Sequence, residues 1–144
     1  MTDTPLAILL IDDDDNDNFF HKRAIDKSGL NCMVDVCTTG VDALDYLQNK
    51  GAYADKDQPL PQPDIIFLDI NMPMLNGWEF LEAYEELCRP PQVKAGVVIV
   101  MLTNSSSEQD QERALAISSV KEFMEKPLRS DGLVSIVEKY IASD

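Results

Sequence analysis

The sequence predicts an α/β domain, a doubly wound five-stranded parallel sheet with helices on both faces. Three observations carry that expectation. Apolar runs such as Leu6–Ile11 and Ile65–Leu68 suit strands buried on both faces, as parallel sheets require. Segments with apolar residues at helical spacing separate those runs. The alternation repeats five times without a second run of strands, and 144 residues are the size of one domain.

The first strand, 6–11, runs straight into Asp12, Asp13, Asp14 and Asp15. Asn16 or Asp17 is expected to cap a helix reaching about Lys27, with Phe20, Ala24 and Ile25 on one face and Ser28-Gly29 ending it. Val34–Cys37 reads as a short second strand, and Thr39-Gly40 turns into a helix carrying Val41, Ala43, Leu44 and Leu47. Residues 49–63, with Gly51 and prolines at 59, 61 and 63, form a long loop. The third strand spans 64–69, and a helix follows from about Asn76 to Cys88, stopped by Pro90-Pro91. The fourth strand covers Val97–Leu102, after which Ser105 and Glu108 have the spacing of a capping box. The fifth strand covers about Val120 to Met124. Leu133, Ile136, Val137, Tyr140 and Ile141 then mark the last helix.

A net charge of −14 argues against nucleic acid and anionic membrane as partners, since both need a basic footprint. Cys32, Cys37 and Cys88 form neither an even framework nor a CxxC pair, so free thiols in a reducing compartment are expected. No segment has the length of a membrane span, and Asp3 stands where a secretion signal would be basic. Together these give a cytoplasmic location as the expectation. His21, the only histidine, is expected on the surface or half-buried on its helix. Met33, Met72, Met74, Met101 and Met124 read as core or turn packing, and Trp78 as packing on the third helix. The polar stretch Ser105–Glu112 offers little apolar surface, so low local stability is expected there.

The chemistry lies at the strand ends. If all five strands are parallel, the acidic run 12–15, Asp69, Thr103 and Lys126 emerge at one edge of the sheet. Open α/β sheets bind ligands in that crevice. Carboxylates from the first and third strands make an all-oxygen nest suited to Mg²⁺, which is held by few protein ligands. A carboxylate beside such a cation can act as nucleophile toward phosphorus, because the metal offsets repulsion between two anions. Lys126 supplies a compact positive charge to phosphoryl oxygens, and Thr103 a hydroxyl donor.

These residues resemble the receiver domain of two-component response regulators, over essentially the whole chain. The resemblance rests on Leu10-Ile11-Asp12-Asp13, Asp69-Ile70-Asn71-Met72-Pro73 with Gly77, Leu102-Thr103-Asn104, and Glu125-Lys126-Pro127-Leu128. Gly40, Ala43 and Leu44 also look like the usual start of the second helix. The resemblance implies a flavodoxin-like strand order, 2-1-3-4-5, in a single receiver domain over 1–144 with no output domain. It implies that Asp69 accepts a phosphoryl group from a phosphohistidine on a sensor histidine kinase or histidine phosphotransfer protein. Asp13 and Asp69 would ligate Mg²⁺, with Asp12 holding metal-bound water and the main-chain carbonyl of Asn71 completing the protein ligands. Thr103 and Lys126 would bind the phosphoryl oxygens, Lys126–Pro127 would be cis, and Phe123 would be the switch aromatic moving with Thr103. The output would pass to another protein, and the chain would not be a turnover enzyme.

Departures from the family pattern carry expectations too. Phe123 lacks the hydroxyl of the tyrosine often found there, so packing alone holds it. Asn104 is bulkier than the usual small residue and is expected to narrow access to Asp69. Ser118-Ser119 stands where Gly-Ala is common.

Other readings fit less well. A calcium loop starting at Asp12 would need Gly where Asp17 stands and Glu where Arg23 stands. A phosphohydrolase of the haloacid dehalogenase type would want Asp-x-Asp followed by Thr or Val, but Asp13-Asp14-Asp15 is followed by Asn16 and Asp17. A pseudo-receiver scaffold would need none of Asp13, Asp69, Thr103 and Lys126.

Overall fold

The computed structural model describes residues 5–48, 63–72, 74–88, 97–104 and 107–141. Ten elements alternate along the chain: β1 (Leu6–Ile11), α1 (Asp15–Lys27), β2 (Cys32–Cys37), α2 (Gly40–Gln48), β3 (Ile65–Leu68), α3 (Gly77–Cys88), β4 (Val98–Thr103), α4 (Glu108–Leu115), β5 (Val120–Glu125) and α5 (Ser130–Ile136). A π-helical turn, Val137–Ile141, continues α5. The strands form one parallel sheet in the order β2-β1-β3-β4-β5. The expected architecture is therefore present. The loop expected at 49–63 lies, except for Pro63, outside the described residues, as do Pro73, Pro90-Pro91 and Ser105.

The alternation of side chains along each strand divides the core into two layers. Leu9, Ile11, Ile66, Leu68, Ile99 and Met101 face Tyr46, Leu47, Phe80, Leu81 and Ala114 from α2, α3 and α4. Ile8, Leu10, Ile65, Phe67, Val98, Val100 and Leu102 face Ile25, Leu133 and Ile136 from α1 and α5. β3 and β4 are buried at every position, which is why their sequences read as unbroken apolar runs. The edge strand β2 is only half-buried and begins at Cys32, two residues before the expected start.

The caps of α1 and α4 and the buried face of α1 differ from expectation, whereas α3 starts where expected. Asp14, not Asn16 or Asp17, caps α1, its carboxylate accepting the N–H groups of Asn16 and Asp17. Ser107 caps α4 by accepting the N–H of Asp110. Asn76 and Glu79 form a reciprocal capping box at the start of α3, each side chain accepting the other's backbone N–H at 2.9 Å. Phe20 is not on the core face of α1. It is 58% exposed, while Asn18, His21 and Ile25 are buried.

Two glycines let loops pass close to the site. A Cβ on Gly77 would stand 2.6 Å from the carbonyl oxygen of Asp69, so only glycine lets α3 start directly beneath the end of β3. A Cβ on Gly40 would meet Leu75 Cδ2 at 2.8 Å, at the start of α2. The turn between carries Met74 at φ 72 with its side chain 84% exposed, so this methionine neither packs in the core nor covers the turn. Met33 is also exposed, whereas Met72 and Met101 are buried as expected. In α4 the one buried residue is Ala114, consistent with a weakly anchored helix. Trp78 packs against the core, with the Arg113 guanidinium of α4 4.1 Å above its ring.

Candidate functional site

The carboxyl ends of β1, β3, β4 and β5 converge, and hydrogen bonds just past each strand hold them together. Asp69 N–H donates to the Ile11 carbonyl at 3.0 Å, and Asp12 N–H to that of Cys37 at 3.1 Å. Lys126 N–H donates to the Thr103 carbonyl at 2.8 Å. The sheet thus delivers Asp12, Asp69, Thr103 and Lys126 to one edge. Register does this: the β4–β5 pairing slips between Ile99 and Val100, after which Thr103 lies opposite Glu125, one residue before Lys126.

Asp12, Asp13 and Asp69 bring one carboxylate oxygen each within 4.8 Å of one another. Asp12 and Asp69 are buried, at 4% and 7% exposure, while Asp13 is open to solvent. Asp12 is held in place by accepting the Asp14 N–H at Oδ1, 2.9 Å away, and its carbonyl takes the Asn18 amide. Lys126 Nζ stands 2.7 Å from Asp12 Oδ2, 2.7 Å from Asp17 Oδ2 and 3.7 Å from Asp69 Oδ1. The lysine side chain is itself 6% exposed.

The electrostatics follow from this crowding. Burial pushes the Asp69 carboxyl up to about 6, and Asp12 adds to the effect, while Lys126 and a hydrogen bond from the Asn71 backbone N–H pull it back. For Lys126, burial pulls downward, but the hydrogen bonds to Asp12 and Asp17 outweigh it and hold the ammonium well above the ordinary lysine value. The pocket carries more buried negative charge than one lysine neutralises. A hard divalent cation among the three carboxylates would relieve it, and an all-oxygen donor set fits such an ion. Asp12, Asp13 and Asp69 thus fit a Mg²⁺-type site by donor chemistry and spacing.

The remaining expected residues take these positions. Thr103 is fully buried at the end of β4, next in the sheet to β3. Phe123 is half-buried on β5 opposite Met101 and packs against the core layer containing Ala114. Asn71 and Asn104 are exposed. Lys126–Pro127 is cis.

Two residues near the pocket were misjudged from sequence. Asp17, expected as a possible cap of the first helix, instead pairs directly with Lys126. The available signal was its place in the first turn of α1, where side chains lean back toward the helix start and so toward the end of β1. His21, expected at the surface or half-buried, is 2% exposed. Burial lowers its pKa, with opposing pulls from Asp12 and Asp17.

With this geometry in place, comparison with known proteins is informative. Residues 8–138 match the response regulator receiver domain. The response regulator Rcp1 of Synechocystis sp. is 30% identical over 106 residues, covering 74% of this chain and 67% of that protein. A hybrid signal transduction histidine kinase B of Dictyostelium discoideum is 31% identical over 142 residues, 93% of this chain but only 6% of the kinase's length. A two-component response regulator from Cytophaga hutchinsonii superposes with a TM-score of 0.82 at 30% identity, covering 97% of this chain and all of that one. The Mn(2+)-bound form of response regulator Rcp1 superposes at 0.74 with 25% identity, covering 97% and 98%. No helix among the described residues is long and apolar enough to cross a membrane.

Proposed function

The chain belongs to the response regulator receiver domain family, phosphoacceptor signalling modules rather than turnover enzymes, and we propose that Asp69 is its phosphoacceptor. The donor is a phosphohistidine on a sensor histidine kinase or histidine phosphotransfer protein. The domain acts as a cytoplasmic receiver, and its output passes to another protein through an altered surface.

The observation that carries this reading is the meeting of Asp12, Asp13 and Asp69 with the Lys126 ammonium at one sheet edge. An Asp69 oxygen attacks phosphorus, a P–O bond forms as the donor's P–N bond breaks, and the departing imidazole takes a proton from solvent. With a carboxyl titrating near 6, Asp69 is mostly ionised at neutral pH and so is a competent nucleophile. Asp13, Asp69 and the main-chain carbonyl of Asn71 would hold Mg²⁺, with Asp12 on its bound water, and the ion would supply charge compensation between the two anions. That the similar response regulator Rcp1 has a Mn(2+)-bound form supports a divalent ion as the cofactor. Lys126 is 3.7 Å from Asp69, near enough to reach oxygens of a group attached there. Thr103 turns its hydroxyl toward the phosphoryl group, and Phe123, with no hydroxyl to satisfy, moves further into the core as the space opens.

Intact-mass spectrometry after incubation with acetyl phosphate and Mg²⁺ tests the reading. Wild type is expected to gain the mass of one phosphoryl group, and to gain none in chelator. An unmodified wild-type protein would point to a scaffold instead, and steady hydrolysis of an external phosphomonoester would point to a phosphohydrolase.

A further inference from the structure

We propose that Asp17 is a positioning residue for this reaction: by sharing the Lys126 ammonium, it sets how tightly the pocket holds a phosphoryl group on Asp69. The inference rests on Asp69 being the phosphoacceptor.

An ammonium has three N–H donors. Those of Lys126 serve two carboxylates at 2.7 Å, on Asp12 and Asp17, while Asp69 at 3.7 Å lies beyond hydrogen-bond reach. The two partners are not equivalent. Asp12 is 6% exposed at its side chain, is anchored by the Asp14 N–H, and contributes an oxygen to the carboxylate cluster that suits a cation. Asp17 stands outside that cluster, so its charge stays directed at Lys126 whether or not the cluster holds a cation. Its backbone is fixed too, because its N–H donates to the capping carboxylate of Asp14 at 3.1 Å.

A phosphoryl group on Asp69 places new anionic oxygens near Lys126, and drawing the ammonium toward them means weakening its bond to Asp17. Asp17 is therefore a competitor of the phosphoryl group. It also helps to order the lysine, but Asp12 alone, more buried and equally close, suffices for that. Competition is the larger effect. The Asp17 side chain is 31% exposed, so solvent screens the pair and the competitor is moderate in strength.

Beryllofluoride, a mimic of a phosphoryl group on a carboxylate, serves as the probe at saturating Mg²⁺, with binding followed by fluorine NMR. Asp17→Asn should bind it roughly two- to fivefold more tightly than wild type, the range set by a partly exposed pair. Asp17→Glu, which restores the charge, should return the affinity to the wild-type value. Unchanged or weaker binding by Asp17→Asn would overturn the proposal, whatever its melting temperature, since a purely structural acid in the first helical turn alters stability alone. Asp69→Asn is included to separate the two claims. If wild type fails to bind the probe, or Asp69→Asn binds it equally, the phosphoacceptor reading fails and this inference falls with it.

Discussion

Lys126→Met is expected to destabilise the protein by about 3–5 kcal/mol at pH 8 in chelator, the usual consequence of removing one partner from a buried ion pair. The lysine lies within 4 Å of three carboxylates, two of them on side chains less than a tenth exposed. Methionine keeps most of the stem's volume but leaves Asp12, Asp17 and Asp69 facing one another. The sign of the pH dependence follows. The raised Lys126 pKa marks stability that is fully present below the ordinary lysine value of 10.5 and is lost only as pH rises through the still higher folded value, so the pair operates throughout the neutral range. Lys126 also holds the Asp69 carboxyl down, so in its absence that carboxyl takes up a proton more readily, and the deficit should shrink as pH falls below about 6. Urea melts at pH 5 and pH 8 measure both. A variant as stable as wild type at pH 8 would mean that the lysine does not hold the carboxylates together.

The second large effect has the opposite sign. In chelator at pH 8, Asp69→Asn should be more stable than wild type by about 1–3 kcal/mol, a range bounded by the free-energy equivalent of the carboxyl's shift. The folded protein holds this proton up to about pH 6, against 3.8 for an unperturbed aspartate. A carboxyl raised in this way contributes stability that is complete below about 3.8 and is lost as pH rises through 6. Wild type should therefore weaken across that window, whereas the asparagine variant should not, and the two curves should converge at low pH. Asparagine can still accept the N–H of Asn71, so the gain reports charge and not a lost hydrogen bond. Added Mg²⁺ should reverse the ranking, because a ligand that binds only the folded state stabilises it by mass action and wild type retains the full set of carboxylates. Thermal melts over pH 4–8, with and without Mg²⁺, give all of these comparisons.

Both predictions concern a site whose main members are legible in the sequence. Parallel strands buried on two faces must be apolar throughout, so β3 and β4 mark themselves, and the first polar residue after each run marks the crevice. That reasoning finds Asp12, Asp69 and Thr103 without coordinates, whereas Lys126 follows a half-buried strand that already carries Lys121, Glu122 and Glu125, so its position after β5 and not the end of an apolar run marks it. It fails on α1, because the usual rule assigns the apolar stripe of a helix to the inside. Here the first turns of α1 lie over the acidic pocket, so Asn18 and His21 point inward, while Phe19 and Phe20 stack edge to face at the surface. Asp17 escapes a reading by residue type, because in a run of acids only its place in the first turn of α1 distinguishes the one that meets the lysine. Helix caps misread by two or three residues, at Asp14 and Ser107, reflect segments such as Asp12–Asp17 and Ser105–Ser107 in which several neighbours can cap equally well.

The central claim is that this convergence of strand ends makes Asp69 the residue that carries the phosphoryl group. Borohydride reduction of protein treated with acetyl phosphate and Mg²⁺ converts an aspartyl phosphate to homoserine, which peptide mass spectrometry locates. The account predicts homoserine at position 69 and at no other aspartate, with Asp12 and Asp13 intact. Homoserine at another aspartate, or a phosphorylated protein with none at 69, would contradict it.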